Sequence, residues 1–267
     1  MIDIHCHLLP GIDDGPRDWE QAVDLCRAMV DDGITRAITT PHFIDGVYEN
    51  GRAVTGPLLA ELIARLGDAG IALELDAAAE IDISSRLVST GGQDIPSLGG
   101  HAVLLEMPVA VVPHAMEHIL FAVSSRGMVP VLAHPERNHL VQENPELAVG
   151  WVASGAVLQI DAESLFGIWG GGAKRCAETL LTRGLVGAVA SDSHSCAKRP
   201  PRMTAARKRV LELLGAEADH LVLATPLALI GGTFAGLPDL GELPPRPASS
   251  REDGARRGLF RRMFGGR

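Results

Sequence analysis

The chain opens Met1-Ile2-Asp3-Ile4-His5-Cys6-His7, an alternation of apolar and polar residues at period two. Side chains on a strand alternate faces, so this spacing predicts that Asp3, His5 and His7 share one face while Cys6 turns into a core on the other. Two imidazoles then point the same way. Crowded at the end of a buried strand they would be poorly hydrated and would repel if both were charged, whereas a divalent cation takes both as neutral donors. A lone His-x-His pair is more often two ordinary polar residues on a half-exposed strand, so the metal reading turns on whether other donors gather around it.

Beyond this stretch the chain alternates short aliphatic runs with longer segments of helical pattern. Strands are expected at Ile2–His7, Arg36–Thr40, Ala72–Ala79, Ala102–Glu106, Val129–Ala133, Val157–Ile160 and Val186–Ser191. Helices are expected at Trp19–Asp31, Gly56–Ala69, Pro113–Ser125, Pro145–Ala153, Ala173–Arg183 and Met203–Leu214, each followed within two residues by a glycine able to supply a left-handed cap. About seven βα units result. An open doubly wound sheet gathers its ligands at one switch point, whereas a barrel carries them at the C-terminal ends of many strands. The ionisable residues decide between the two. His5 and His7 close the first run, His42 follows the second, Glu80 follows the third, Glu106 closes the fourth, His134 follows the fifth, and Asp192 and His194 follow the seventh. Asp161 follows the sixth but has no histidine beside it and stays outside the count. Polar residues at six strand ends predict an α/β fold of distorted TIM-like (βα)7 type.

Composition sets the outer limits. With 267 residues and 46% hydrophobic content, the chain has enough apolar surface for one large core. Neither an apolar run of membrane-spanning length nor a basic, apolar leader is visible, and the four cysteines lie far apart, so reduced thiols in the cytoplasm are expected. The net charge of −9 is unevenly spread: from Leu243 onward seven arginines stand against Glu252 and Asp253, a tail of +5 on a body of −14. An acidic body disfavours nucleic acid and suits a collector of cations. Residues 1–242 are read as the catalytic barrel. Residues 243–267 are read as a flexible Pro/Arg-rich tail, whose Leu259, Phe260, Met263 and Phe264 beside Arg261 and Arg262 admit either a weak contact with an anionic membrane surface or a disordered basic end.

The donors are five histidines (His5, His7, His42, His134, His194) and the carboxylates Glu80, Glu106 and Asp192, with Asp13 and Asp14 as further candidates. Imidazole and carboxylate favour manganese, iron, zinc or cobalt, and a set of this size could hold two or three ions. Such a cluster acidifies water and clamps the attacking and leaving oxygens of a phosphoryl displacement. Arg137 and Arg199 each follow a donor segment by a few residues and add planar, bidentate phosphate recognition. No Cys-x5-Arg loop, P-loop or Gly-x-Ser-x-Gly elbow is visible, so covalent cysteine or serine catalysis has no support.

Taken in order, Ile4-His5-Cys6-His7, Asp13-Asp14-Gly15-Pro16, Thr40-Pro41-His42, Ala79-Glu80-Ile81, Leu105-Glu106, Ala133-His134-Pro135-Glu136-Arg137, and Ser191-Asp192-Ser193-His194 with Arg199-Pro200-Pro201 resemble the polymerase-and-histidinol-phosphatase superfamily. More narrowly they resemble its bacterial capsule and exopolysaccharide tyrosine-protein phosphatases. That resemblance implies a distorted barrel and a manganese-dependent site of up to three ions. It also implies action on the tyrosine-rich tail of the kinase that controls polysaccharide export. It assigns His5, His7, Glu80 and Asp192 to one ion, Glu80, Glu106 and His134 to a second, and Asp14, His42 and His194 to the third. Arg137 and Arg199 correspond to phosphate-binding residues, and Asp192 counts with them as catalytic. Asn138, Asp161 and Ser195 depart from the family's usual residues. The alternatives are a small-molecule phosphatase of the histidinol-phosphate kind and a kinase-binding regulator held near the inner face of the membrane by the basic tail.

Overall fold

The structure, a computed structural model, describes residues 1–85 and 96–237. The expected boundary at 242 and the basic tail therefore lie outside the described residues. Strands β1 (Ile2–Cys6), β2 (Arg36–Thr39) and β5 (Glu74–Ala77) form one parallel sheet in the order β1-β2-β5. A second sheet joins β3 (His42–Ile44), β4 (Tyr48–Glu49), β6 (Glu80–Asp82), β7 (Ala102–Glu106), β8 (Val129–Ala133), β9 (Val157–Asp161) and β10 (Val186–Ala190), in the order β10-β9-β8-β7-β6-β3-β4. Every pairing is parallel except the β3–β4 hairpin.

The two sheets are one barrel. β3 continues the path of β2, and β6 that of β5: Ala78 N–H donates to Thr39 C=O at 2.9 Å and Glu80 N–H to Thr40 C=O at 3.3 Å, just before His42 pairs with Glu80. Pro41 has no N–H to give a ladder, which ends β2 at this point. At the other seam Asp192 N–H donates to His5 C=O at 2.8 Å and His7 N–H to Ser193 C=O at 2.9 Å, so the segment after β10 pairs with the end of β1. Seven parallel strand positions close on themselves, as the strand ends predicted. The expected strands Arg36–Thr40 and Ala72–Ala79 are each part of a longer, interrupted one.

Among the described residues the helices are α1 (Trp19–Asp31), α2 (Arg52–Asp68), α3 (Met116–Ser124), α4 (His139–Glu143), α5 (Glu146–Ala153), α6 (Gly170–Thr182), α7 (Met203–Leu214) and α8 (Ala224–Gly231). In α1 the Asp18 carboxylate accepts from Gln21 N–H, and Ala22, Leu25, Cys26 and Met29 form the buried stripe at helical spacing. α2 starts four residues before the expected Gly56, with Pro57 inside it. The proline forfeits one hydrogen bond near an exposed helix start, where residues 52–54 meet solvent and the loss is small. α4 was not expected; at five residues it is too short for periodicity to reveal.

Two apolar clusters follow from this closure. The outer one lies between helices and strands, and the inner one fills the barrel with Ile2, Ile4, Ile38, Leu104, Val131 and Val157 among small residues such as Ala78, Ala102, Ala133, Ala188 and Ala190. A seven-stranded ring is narrow, and alanines let the facing aliphatic side chains fit. Leu98, Leu229 and Ile230, the last two from α8, belong to the same inner cluster, so the apolar segment after the last βα unit packs into the body.

β1 corrects one expectation. Its pairing with β2 runs Ile2↔Arg36 and Asp3↔Ala37 and then Cys6↔Thr39, so β1 carries one extra residue. The bulge changes which face the strand presents. Ile2 and Ile4 join the inner cluster, Cys6 joins the outer one, and His5 and His7 turn into the mouth. Asp3 does not share their face. Its carboxylate accepts from Ser191 Oγ at 2.5 Å, from Ser191 N–H at 3.1 Å and from His5 N–H at 3.2 Å, bolting β1 to β10.

Candidate metal centre

The mouth of the barrel at the C-terminal ends of its strands receives every donor singled out in the sequence. Two of them leave their strands in a conformation that L residues rarely adopt: His134 has φ 33° and Asp192 has φ 49°, and they are the two non-glycine residues with positive φ among those described. Each is fixed by a neighbouring strand, His134 N–H donating to Gln159 C=O and Asp192 N–H to His5 C=O, both at 2.8 Å. Such backbone strain costs on the order of 1–3 kcal/mol per residue and persists where the surroundings over-determine it.

His5 Nε2 lies 3.2 Å from both Glu80 Oε2 and Asp192 Oδ1, and His7 Nε2 lies 3.4 and 3.6 Å from the same two oxygens. His42 Nδ1 is 3.1 Å from Glu80 Oε2 and 3.6 Å from Glu106 Oε2. Asp14 Oδ1 stands 3.1 Å from His194 Nε2 and 3.4 Å from His42 Nε2. Three groups are therefore close enough to surround an ion: His5, His7, Glu80 and Asp192; His42, Glu80 and Glu106; and His7, Asp14, His42 and His194. His134 stands on the far oxygen of Glu80, with Nε2 2.9 Å from Oε1. His42 and His134 thus approach Glu80 from its two different oxygens.

The donor atoms are the test of whether metal fits. His5 Nε2, His7 Nε2, His42 Nδ1, His194 Nε2, Glu80 Oε2 and Asp192 Oδ1 are all buried without a hydrogen-bond partner. Buried polar atoms are almost always partnered, so six such atoms facing one another fit a common partner, and a divalent cation suits that place. The opposite ring nitrogens are occupied. His5 Nδ1 is 2.8 Å from Gln159 Oε1, His7 Nδ1 is 2.7 Å from Asp13 Oδ2, and His194 Nδ1 is 2.9 Å from Asp192 C=O. In each ring the proton belongs on Nδ1 and the lone pair on Nε2, which is how a ligating histidine is oriented. Asp13 also accepts from Gly15 N–H and His42 N–H, so of the two adjacent aspartates Asp13 orients and Asp14 offers a ligand oxygen.

Charge in the cluster is tightly balanced. Burial opposes ionisation of Glu80 and Asp192, but the surrounding histidines, and for Asp192 also Arg137 and Arg199, hold both well below the usual carboxylate range. Burial, with Glu80 beside it, pushes Glu106 up to about 7. Burial lowers His5 and His7, yet the carboxylates outweigh it and raise them to about 9 and about 10.

Above this cluster sit the two arginines. Arg137 donates to Asp192 Oδ2 at 2.5 Å and also to Asp161, and Arg199 donates to the same Asp192 oxygen. Asp192 thus faces the histidines with one oxygen and the guanidinium groups with the other. Asp161, left out of the sequence count, is fully buried and serves as the second anchor of Arg137. Sequence reasoning also missed Gln159, inward on β9 two residues before Asp161, and Trp169, whose ring lies 4.0 Å from Arg137 Cζ and 5.2 Å from Arg199 Cζ. Inward alternation along β9 would have exposed Gln159 as a buried polar residue; nothing local marks Trp169.

The chain matches the family model described as capsular polysaccharide synthesis, CpsB/CapC, over residues 1–230. It is 37% identical over 201 residues to the tyrosine-protein phosphatase YwqE of Bacillus subtilis (strain 168), covering 74% of this chain and 79% of that protein. Its fold superposes with a TM-score of 0.83 and 33% identity, over 88% of this chain and 96% of the other, on a crystal structure from work on YwqE and on CpsB of Streptococcus pneumoniae, described there as unique metal-dependent tyrosine phosphatases. A variant organophosphorus hydrolase from Deinococcus radiodurans shares the fold alone, at 13% identity and a TM-score of 0.54 over 86% of this chain and 92% of the other.

Proposed function

The chain belongs to the CpsB/CapC family of capsular polysaccharide synthesis, and from that premise we propose that it is a metal-dependent protein-tyrosine phosphatase. Its substrate is the tyrosine-phosphorylated tail of a bacterial kinase that controls polysaccharide synthesis. The observation that supports the reading is the set of orphaned imidazole and carboxylate atoms lying directly beneath two arginines. His5, His7, Glu80 and Asp192 would hold one ion, and Asp14, His42, Glu106, His134 and His194 would complete the sites for a second and a third, with manganese as the proposed metal and iron, zinc or cobalt as alternatives. Bound divalent ions supply a water nucleophile at neutral pH and charge to match the phosphoryl oxygens.

The protein's own groups do the rest. Arg137 and Arg199 hold the phosphoryl oxygens from above and fix the phosphorus over the cluster. Asp192 couples the two layers, since its oxygens serve donors on both sides. Hydrolysis forms a new P–O bond from water and breaks the bond to the aryl oxygen, which leaves with the electron pair and takes up a proton, giving tyrosine and inorganic phosphate. The mouth is open: the Asp14 side chain is 52% exposed at its rim, beside Arg199. That favours a protein tail over a small molecule that must be enclosed. No helix among the described residues is long and apolar enough to cross a membrane. The proposed location is the cytoplasm, with the basic tail as the means of any contact with the inner membrane face.

The test uses metal-stripped protein resupplied with manganese, iron, zinc or cobalt, given a phosphotyrosine peptide, a phosphoserine peptide and histidinol phosphate. Metal-dependent release from the phosphotyrosine peptide is expected, with a loss of at least about a thousandfold in a His5→Ala/His7→Ala variant, the scale on which a metal contributes to such reactions. Release from histidinol phosphate alone would assign the protein to the small-molecule branch, and release from none would leave the binding-regulator reading.

A further inference from the structure

Trp169 belongs to no part of the metal cluster, yet its placement is closely specified. It follows the 3-10 turn Ala162–Phe166 that leaves β9, in the segment Gly167-Ile168-Trp169-Gly170. Gly167 and Gly170 have φ of 76° and 93°, and the two left-handed residues let the chain reverse tightly on either side of the indole. The turn points the ring at two cations together. Arg137 Cζ stands 4.0 Å and Arg199 Cζ 5.2 Å from the ring centre, within the range of cation–π attraction. The ring remains 38% exposed, so it is no core residue whose packing alone explains it.

The hydrogen bonds on these arginines leave something for the ring to do. Both lean on the same oxygen of Asp192, the residue whose other oxygen faces His5 and His7. Arg137 has Asp161 as a second anchor, while the second carboxylate near Arg199 is Asp14, farther off at 3.8 Å. Arg137 Nε and Arg199 Nε have no hydrogen-bond partner. Carboxylates therefore hold each guanidinium by one edge and leave its plane free to tilt. A face-on aromatic contact fixes the plane, and bidentate phosphate recognition depends on the plane.

We propose that Trp169 is a positioning residue that fixes the planes of Arg137 and Arg199 as one phosphate clamp. This rests on the reading that the two arginines hold the phosphoryl group. Trp169 acts through them, so its removal weakens binding of phosphate itself, whatever alcohol or phenol is attached.

The experiment measures binding of inorganic phosphate to manganese-loaded protein by calorimetry, together with kcat and KM for a phosphotyrosine peptide and for an alkyl phosphate. It compares the natural protein with Trp169→Ala, Trp169→Phe and Arg137→Ala, after metal content and thermal midpoint are checked for each. Trp169→Ala is expected to weaken phosphate binding about tenfold and to raise KM for both substrates alike, the scale of a partly exposed cation–π contact to two guanidinium groups, while Trp169→Phe retains most of the affinity. Unchanged phosphate affinity in Trp169→Ala, while Arg137→Ala loses it, overturns the proposal and leaves the arginine reading standing. A loss confined to the aryl substrate likewise overturns it, because the ring would then be touching the leaving group. Phosphate affinity unchanged in Arg137→Ala overturns the underlying reading as well.

Discussion

At the scale of single residues, the metal-free site stores protons that a metal must displace. His5 and His7 have pKa values of about 9 and about 10 because neighbouring carboxylates outweigh the burial that would lower them. Both lie above the ordinary histidine value of about 6.5, so the imidazolium forms stabilise the metal-free fold. That contribution is fully present below pH 6.5 and is lost as pH rises through 9 to 10. Metal takes the neutral rings instead, so at pH 7–8 filling the His5–His7 site releases two protons. Metal affinity should therefore rise by up to about a hundredfold per pH unit in this range, tenfold for each proton displaced. Titrating manganese into stripped protein at pH 6.5, 7.5 and 8.5 checks this, and a flat affinity would sink it. Over pH 8 to 10 the thermal midpoint of the stripped protein should fall. The donors themselves were legible because histidines and carboxylates at strand ends are conspicuous among aliphatic runs. Which oxygen of Glu80 faces which ring was not legible, because it is a matter of angstroms in three dimensions.

At the scale of elements, the sequence resolves long periodic segments and misses what side chains create locally. The strands and most helices follow from aliphatic runs and 3.6-residue stripes, but the β1 bulge inverts a face without altering composition. Asn138 shows the same limit. In the sequence it is merely an unusual residue after Arg137. In the structure its Oδ1 accepts from Leu140 N–H at 2.9 Å and Val141 N–H at 3.1 Å, capping α4, while its Nδ2 donates to Pro108 C=O at 2.7 Å and Val111 C=O at 2.8 Å in the loop after β7. One buried amide thus ties the start of α4, next to Arg137, to the loop after β7. Asn138→Ala should cost about 2–4 kcal/mol, combining a lost cap with two buried carbonyls left unpaired. Denaturant unfolding measures that loss directly. Asn138→Asp keeps the cap but sets a buried carboxylate oxygen against the two carbonyls in place of a donor, and should be at least as unstable as the alanine variant. Equal stability of all three would mean that the cap and the loop contribute nothing.

At the scale of the whole molecule, the described residues already hold the seam between β1 and β10, the α8 contribution to the inner cluster and three groups of metal-donor side chains. The seven arginines from Leu243 onward add charge of the opposite sign to a body of −14. If catalysis belongs to the barrel, a chain ending at Glu242 should bind metal as the full chain does. It should also cleave a soluble phosphotyrosine peptide within about twofold of the full rate, the ordinary limit for surface changes away from the site. A difference should emerge only where an anionic surface is present, because each basic residue near such a surface contributes about 1 kcal/mol of attraction. The comparison is therefore made twice, with free peptide and with peptide tethered to vesicles containing anionic lipid. The full chain should gain on the vesicles, lose that gain in high salt, and match the shortened chain in free solution. If shortening abolished cleavage of the free peptide, the tail would be part of the catalytic machinery and the division at 242 would be wrong. If it changed neither assay, the arginines would have no role at the membrane, and the phosphatase would find its kinase through the barrel alone.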